Sequence, residues 1–243
     1  GYTFAATIEH LGEDGNILRT VPGFAGSLPA AYRTDPPSCD HCKLLRRRLE
    51  TFVMQRDDGT FARVGRNCLT DYIGSASAEK VVAALAIDAS LAELLTDDEG
   101  WDNEGGYCRG GAQYAEPVAF LREVAVVIDT FGWMSRKLAR DTNSSASADH
   151  AWRSLFPFGK PSEDQLQLRD VERLPRHTDD AKVALAWAKA IPVDTDSDYL
   201  HNCRVVAGLS AWDHKHVGIG AAILMSYQKE QERLKRMEFE RKL

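Results

Sequence analysis

The chain has 243 residues, enough for one large domain or two smaller ones, and its 44% hydrophobic and 27% charged residues are ordinary for a soluble globular protein. Its net charge of −6 excludes a globally basic coat on nucleic acid but is compatible with a local basic patch. No apolar run approaches the roughly 20 residues that a membrane-spanning helix requires, so no membrane partner is expected.

The first third of the chain alternates apolar and polar residues, which predicts β-strands. Asp57-Asp58-Gly59 is a hairpin signal, because Gly59 tolerates positive φ. Asn67 is expected to cap a short helix over residues 68–73, which Gly74 ends. The strands are predicted at residues 2–9, 16–21, 51–56 and 60–64, with a Pro- and Gly-rich loop before residue 39.

From about Ser77 the apolar residues recur at helical spacing. The expected elements are a helix after Ser77, a Gly-rich acidic loop at 96–113, and helices at 118–131, 181–191, 198–209 and 216–243. The last of these is long, and its charged second half is a candidate contact for a protein partner. We therefore predict an α+β protein with a β-rich metal-binding module at 1–76 and a helical domain at 77–243, with no internal repeat.

Three cysteines predict a metal site. Cys39 and Cys42 form a Cys-x-x-Cys knuckle, in which a tight turn brings two thiolates to one ion, and Cys68 falls at the predicted helix start. A knuckle, a hairpin and a helix that carries a further ligand form the layout of a treble-clef finger. We therefore predict that the three cysteines share a Zn²⁺ ion. A redox role for the knuckle is less favoured, because no βαβ pattern surrounds it.

The fourth zinc ligand is open between His10 and Asp71. His10 ends the first predicted strand and would complete a Cys3His set, which is commoner than a carboxylate-containing structural site, so His10 is preferred. Asp71 lies three residues after Cys68 and would face the same side of the helix. His41 lies inside the knuckle, where side chains normally point away from the ion, and Cys108 lies in a Gly-rich loop that does not fix its position.

The sequence resembles a family of phage and mobile-element proteins to which we attach no activity. The resemblance covers roughly residues 4–74, and more weakly two later segments. It rests on the C-x-H-C knuckle at residues 39–42, on V-G-x-x-C-L-x-D at 64–71, and on Ile8-Glu9-His10, which adds weight to His10 as a ligand. It implies a phage or plasmid gene product, with a segment upstream of Gly1.

The odd count of five cysteines, with no visible secretory signal, favours a reducing compartment. Together with the resemblance it predicts the cytoplasm of a bacterial host.

Between Cys39 and Cys68, seven Lys and Arg residues face four acidic ones, a local charge of +3. A folded finger could gather these cations for contact with DNA or RNA phosphates, with Phe52, Phe61 and Tyr72 near enough to stack on bases. The alternative is a solvated face paired with acidic residues elsewhere. The candidate nucleic-acid contacts are Arg46, Arg47, Arg48, Arg63 and Arg66.

Evidence for catalysis is weak, and the balance is against an enzyme. His201, His214 and His216 occur close in sequence with Asp213, but they do not follow a ligand or acid–base spacing and are expected to be surface or helix-cap residues. Phosphate-loop, nucleophile-elbow and His-Glu-x-x-His patterns are absent from the sequence. A hydrolase or transferase that uses these residues is the least favoured reading.

Two function classes follow. The first is a zinc-containing accessory protein of a phage or mobile element that binds or processes nucleic acid. The second is a protein-interaction module, such as an inhibitor of a host defence or polymerase complex, in which the zinc is purely structural.

Overall fold

A computed structural model describes residues 1–21, 23–73 and 113–242. These residues form two compact units, one with residues 1–73 and 194–205 and the other with residues 113–193 and 206–242. A small antiparallel sheet near the N-terminus and the helices that follow confirm the predicted α+β class. The predicted helix after Ser77, the loop at 96–112 and the boundary at residue 76 lie outside the described residues.

Four antiparallel strands form the sheet of the first unit, in the order β2-β1-β3-β4. They are β1 (Tyr2–His10), β2 (Asn16–Thr20), β3 (Glu50–Arg56) and β4 (Phe61–Val64), each within a residue of its predicted bounds. Gly59, at φ 82°, makes the β3–β4 turn, as expected of a residue without a Cβ. A short helix, α1 (Thr70–Ile73), follows β4.

A bulge in β1 places Phe4 and Ala6 on opposite faces of the sheet, although residues two apart on a regular strand share a face. Phe4 pairs with Met54 and Ala6 with Val53, so the register slips between these pairs and β1 changes face. On one face, a cluster that includes Ile8 and Val53 is buried. On the other face, a cluster that includes Met54 packs with Cys39. The cysteines therefore lie on a hydrophobic face of the sheet rather than on an exposed loop.

Both edges of the sheet are covered by polar side chains. On β2, Leu18 donates its N–H to Asn202 Oδ1 at 3.0 Å, and its carbonyl accepts from Asn202 Nδ2 at 2.7 Å. On β4, Arg63 donates its N–H to Asp40 Oδ2 at 2.6 Å, and its carbonyl accepts the Asp40 N–H at 2.7 Å. Each side chain satisfies backbone groups that an open edge would leave unpaired.

A segment remote in sequence completes the first unit. Asn202 lies on a helix, α7 (Asp198–Gly208), whose first part belongs with the sheet. Arg33 is buried, and its guanidinium donates to Asp198 Oδ1 at 2.8 and 3.0 Å and to the carbonyls of Thr195 and Asp196. Sequence alternation gave no sign of this contact, because the residues that make it are polar.

The second unit is helical, and its central helix is the apolar one predicted from the sequence. Its helices are α2 (Pro117–Phe131), α3 (Arg136–Thr142), α4 (Ser147–Leu155), α5 (Glu163–Asp170), α6 (Pro175–Lys189) and α8 (Val217–Lys242). Helix α2 packs against α4, α6 and α8. Phe120 of α2 contacts the rings of Trp152 and Trp212, both of which are buried, as expected of core residues.

Four helices differ from the sequence expectation. Helix α6 begins at Pro175 rather than at residue 181, because His177 Nδ1 accepts the Leu174 N–H at 3.1 Å and holds an earlier first turn. Helix α4 was not predicted, since it has only 9 residues. Helices α3 and α5 were not predicted either, since both are short and largely polar. Their serine caps were the available signal: Ser135 accepts the Leu138 N–H and Ser162 the Gln165 N–H.

Candidate metal centre

The knuckle is a tight turn held at the edge of the sheet. The Cys39 carbonyl accepts the Lys43 N–H at 2.8 Å, which closes the turn around the two cysteines. Lys43 takes a left-handed conformation, at φ 58°, which ordinarily favours glycine. The Asp40–Arg63 pairing described above fixes the turn to β4. Backbone contacts and the Asp40 carboxylate therefore hold Cys39 at the edge of the sheet.

The turn that follows β4 brings Cys68 close to Cys39 and Cys42. A 3-10 turn (Arg66–Cys68) follows the strand, and the Cys68 N–H donates to the Gly65 carbonyl at 2.9 Å. The N–H of Gly65 donates to Cys39 Sγ at 3.4 Å. Gly65 thus connects two of the three cysteines directly.

The structure brings the three predicted cysteines together. The sulfur atoms of Cys39, Cys42 and Cys68 all lie within 4.8 Å of one another. All three are free thiols; Cys39 is buried and the other two are partly buried. Among the described residues, this is the one group of three or more His, Cys, Asp or Glu side chains with ligand atoms so close. Three thiol donors at this separation can hold a metal ion.

The electrostatics of the thiols fit a cation. Burial acts to raise the pKa of Cys39, but the N–H groups of Cys42, Gly65 and His41 and the Cys42 side chain outweigh it, and the pKa is lowered to about 7. Burial and the neighbouring Cys39 and Cys42 sulfurs raise the pKa of Cys68 to about 11. One thiolate is therefore readily formed, while ionising the group fully requires a compensating positive charge, which a bound metal ion supplies.

An arginine lies beside the thiols. Arg48 Nη2 donates to Cys42 Sγ at 3.8 Å, and Nη1 donates to the carbonyls of Pro37 at 2.7 Å and Leu44 at 2.9 Å. Arg48, one of the five arginines predicted to contact nucleic acid, therefore forms its hydrogen bonds within the knuckle. Sequence reasoning missed this role, because three consecutive arginines give no sign of which one turns inward.

Neither candidate for the fourth ligand joins the three sulfurs. His10 is buried, and both its ring nitrogens are engaged at 2.9 Å, Nδ1 with Asn16 Oδ1 and Nε2 with Thr51 Oγ1. Asp71 is exposed, and its Oδ2 lies 3.5 Å from His41 Nε2. Cys108 lies outside the described residues. The identity of a fourth ligand stays a prediction, and His10 would have to give up a hydrogen bond to serve.

The five predicted nucleic-acid contacts divide into two sets. Arg63 is only 5% exposed, with its guanidinium bonded to Ser38, near Asp35 and over the Tyr32 ring, so it presents no surface to a phosphate. Arg46 and Arg47 are exposed, and neither forms a hydrogen bond or ion pair within the described part of the chain. Arg66 is also exposed, 3.5 Å from Glu50.

Aromatic stacking on bases is not available at Phe52, because its side chain is buried in the core of the sheet. Phe61 is partly buried against the opposite face of the sheet. Tyr72 packs against Tyr2, with ring centroids 4.6 Å apart. All three rings therefore pack against other residues of the protein.

Among the described residues, His201, His214 and His216 do not gather with acidic side chains into a group that could hold a metal ion. His201 is buried, and its Nε2 lies 2.9 Å from the Asn16 carbonyl oxygen. His216 Nδ1 lies 3.0 Å from Asp213 Oδ1, a contact within one turn at the start of α8. His214 contacts the Trp152 ring. His201 is thus buried, where a surface or helix-cap position was predicted, and His216 is buried immediately before the first residue of α8.

Comparison with protein-family models, with curated proteins and with solved structures finds no match. Among the helices that the structure describes, none combines the length and apolar character needed to cross a membrane.

Proposed function

We propose that the chain is a zinc-stapled docking module, and that residues 43–49, here called the knuckle loop, bind an acidic, apolar-containing segment of a partner protein. The observation that carries the proposal is the composition of this loop's surface. Leu44, Leu45 and Leu49 are 42%, 66% and 74% exposed, and they lie among the exposed cations Lys43, Arg46 and Arg47.

Zinc is the ion proposed for the three cysteines. Thiolate ligands select soft or borderline ions, and a knuckle, hairpin and helix with a ligand at its start is a common structural zinc layout. Cys39, Cys42 and Cys68 would hold the ion, which would neutralise the thiolates and tie the knuckle to the turn after β4. X-ray absorption of protein purified from a zinc-supplemented culture tests this: three sulfur neighbours near 2.3 Å are expected, and a spectrum without sulfur neighbours would reject it.

The loop is held so that its leucines do not fold back onto the sheet. At one end of the loop the Lys43 N–H donates to the Cys39 carbonyl, and at the other end the Leu49 carbonyl accepts the His10 N–H, each at 2.8 Å. Single exposed leucines are common, but three within seven residues form an apolar surface that the rest of the described chain does not cover. Covering each against a partner contributes about 1–2 kcal/mol. The cations select an acidic partner and exclude a basic one.

Nucleic-acid binding is the second candidate, and it is favoured by Arg46 and Arg47, which are exposed and form no ion pair with the residues that the structure describes. With Arg48 and Arg63 held internally, few cations remain for phosphates, and the leucines would contribute nothing to backbone contact. Processing of nucleic acid, and an origin in a phage or mobile element, stay predictions.

One titration series separates the two candidates. Fluorescent peptides that alternate Glu with Leu or Phe, polyglutamate and an oligothymidine are titrated against the wild type, Leu45→Asp and the double variant Arg46→Ala/Arg47→Ala. Protein docking predicts that the mixed peptides bind more tightly than polyglutamate, and that either variant weakens them by about tenfold. Tight oligothymidine binding that only the arginine variant weakens would instead establish the second candidate.

A further inference from the structure

We infer that Arg48 couples metal binding to the conformation of the knuckle loop. One guanidinium joins three parts of the knuckle: the chain before it at the Pro37 carbonyl, a metal-binding sulfur at Cys42, and the loop at the Leu44 carbonyl. Arg48 is thus a positioning residue, because it would touch the ion only through Cys42.

Gly65 leaves space for the Arg48 side chain. A Cβ built on Gly65 would lie 2.8 Å from Arg48 Nε and 3.4 Å from its Cδ, too close for both to keep their places. Gly65 has φ −76°, which any residue adopts, so its backbone conformation does not require a glycine. The missing side chain instead leaves room for the Arg48 stem, directly beside the N–H that Gly65 donates to Cys39.

The two preceding arginines provide an internal comparison. Arg46 and Arg47 carry the same side chain on the same loop, yet both are exposed and form no contact of this kind within the described residues. Arg48 alone of the three turns toward the thiols. The contrast separates its role from the general basic character of the loop.

The coupling follows from the strength of hydrogen bonds to charged acceptors. A metal ion holds Cys42 as a thiolate, and an N–H donated to an ionised acceptor forms a stronger bond than one donated to a neutral thiol. Since the same guanidinium holds the Leu44 carbonyl, loading the metal fixes the start of the loop. The relation is reciprocal, so a ligand that binds the ordered loop raises metal affinity by the same factor.

Only the prediction that a ligand of the knuckle loop raises metal affinity rests on the proposed docking function. The link between the metal and the order of the loop can be measured without any partner.

The test compares Arg48→Ala and Arg48→Lys with Arg47→Ala as the matched control. Zinc affinity is measured by competition with a chromogenic chelator, and loop order by amide hydrogen exchange of residues 44–47 in zinc-loaded protein. Arg48→Ala is expected to weaken zinc binding by about 10–100-fold, as lost outer contacts to metal ligands do, and to speed exchange in the loop. Arg47→Ala should change neither. Arg48→Lys, which keeps the charge but not the planar fork, should lie between.

Gly65→Ala provides a second, independent perturbation, because it displaces Arg48 without removing any contact group. It should shift zinc affinity and loop exchange in the same direction as Arg48→Ala. If Arg48→Ala fails to fold, Gly65→Ala and Arg48→Lys decide the question. Equal zinc affinity and equal loop exchange in these variants and in Arg47→Ala would overturn the inference. Coupling without peptide binding would refute only the docking function.

Discussion

Asp40 and Arg63 exchange two hydrogen bonds, as adjacent strands of a sheet do. The Asp40 N–H donates to the Arg63 carbonyl, and the Arg63 N–H donates to the Asp40 carboxylate. These two bonds pair the backbone groups of Arg63 at the β4 edge. Since Asp40 lies between the two cysteines of the knuckle, the same bonds also hold those cysteines near Cys68. The knuckle is therefore fixed to the β4 edge of the sheet.

Replacing Asp40 should open this edge. Asp40→Ala leaves the Arg63 N–H without its acceptor, and the free energy of unfolding should fall by about 1–3 kcal/mol, the cost of an unsatisfied buried group. Asp40→Asn keeps an oxygen acceptor and should cost less. Urea unfolding of zinc-loaded protein measures both. Equal losses for the two variants would show that the carboxylate charge, and not the hydrogen bond, matters.

Metal removal should destabilise the first unit through Cys39, Cys42 and Cys68 and not through Cys203. Cys68→Ser should lose zinc affinity by more than the roughly 10–100-fold that a lost outer contact costs, since it removes a ligand. Cys203→Ala is the matched control, because Cys203 is buried and lies outside the sulfur group. Zinc content and the change in melting temperature on adding a chelator are the measurements.

The chelator response should be large for the wild type and for Cys203→Ala, and absent for Cys68→Ser. A wild type whose melting temperature is unaffected by a chelator would contradict a structural ion at this site.

The sequence predicted the β-strands, the apolar helix α2 and the three cysteines, because each leaves a local pattern: alternation, helical periodicity or a fixed spacing. It did not predict which polar residues the fold would bury. Arg63 occupies a strand position where a solvated cation was expected, and Arg48 follows two exposed arginines of identical type. Asn202 and Leu18 lie 184 residues apart, and no local signal connects an amide on a helix with a strand edge.

Acid should destabilise the first unit through His201. Burial lowers the pKa of His201 from its ordinary 6.5, more than its hydrogen bond to the Asn16 carbonyl raises it. The folded protein therefore binds fewer protons than the unfolded chain near that pH. Its stability is retained above about pH 6.5 and is lost progressively as the pH falls below this value. A proton added at Nδ1, which has no hydrogen-bond partner within the described residues, would also be buried.

His201→Gln isolates this contribution, because glutamine offers an N–H for the Asn16 carbonyl and does not titrate. The variant should be less stable than the wild type at pH 7.5, and the difference should shrink as the pH is lowered toward 5. Unfolding free energies of both proteins over this range, at equal zinc loading, measure the effect. Because burial also lowers the pKa of His10 and His150, only the difference between the proteins is diagnostic. A constant difference across the range would mean that His201 is not the titrating group.

Lys43→Gly should leave the knuckle at least as stable as in the wild type. Lys43 holds φ 58°, a conformation that costs an L-residue about 1–2 kcal/mol and glycine almost nothing. Glycine loses more chain entropy on folding, about 0.5–1 kcal/mol, so the net gain should be between zero and about 1.5 kcal/mol. Lys43→Ala keeps the strain, loses the same charge and should give no gain, which separates the backbone effect from the electrostatic one. Chemical denaturation of the three zinc-loaded proteins ranks them, and a glycine variant less stable than the alanine variant would show that relief of the left-handed strain does not outweigh the extra chain entropy of glycine.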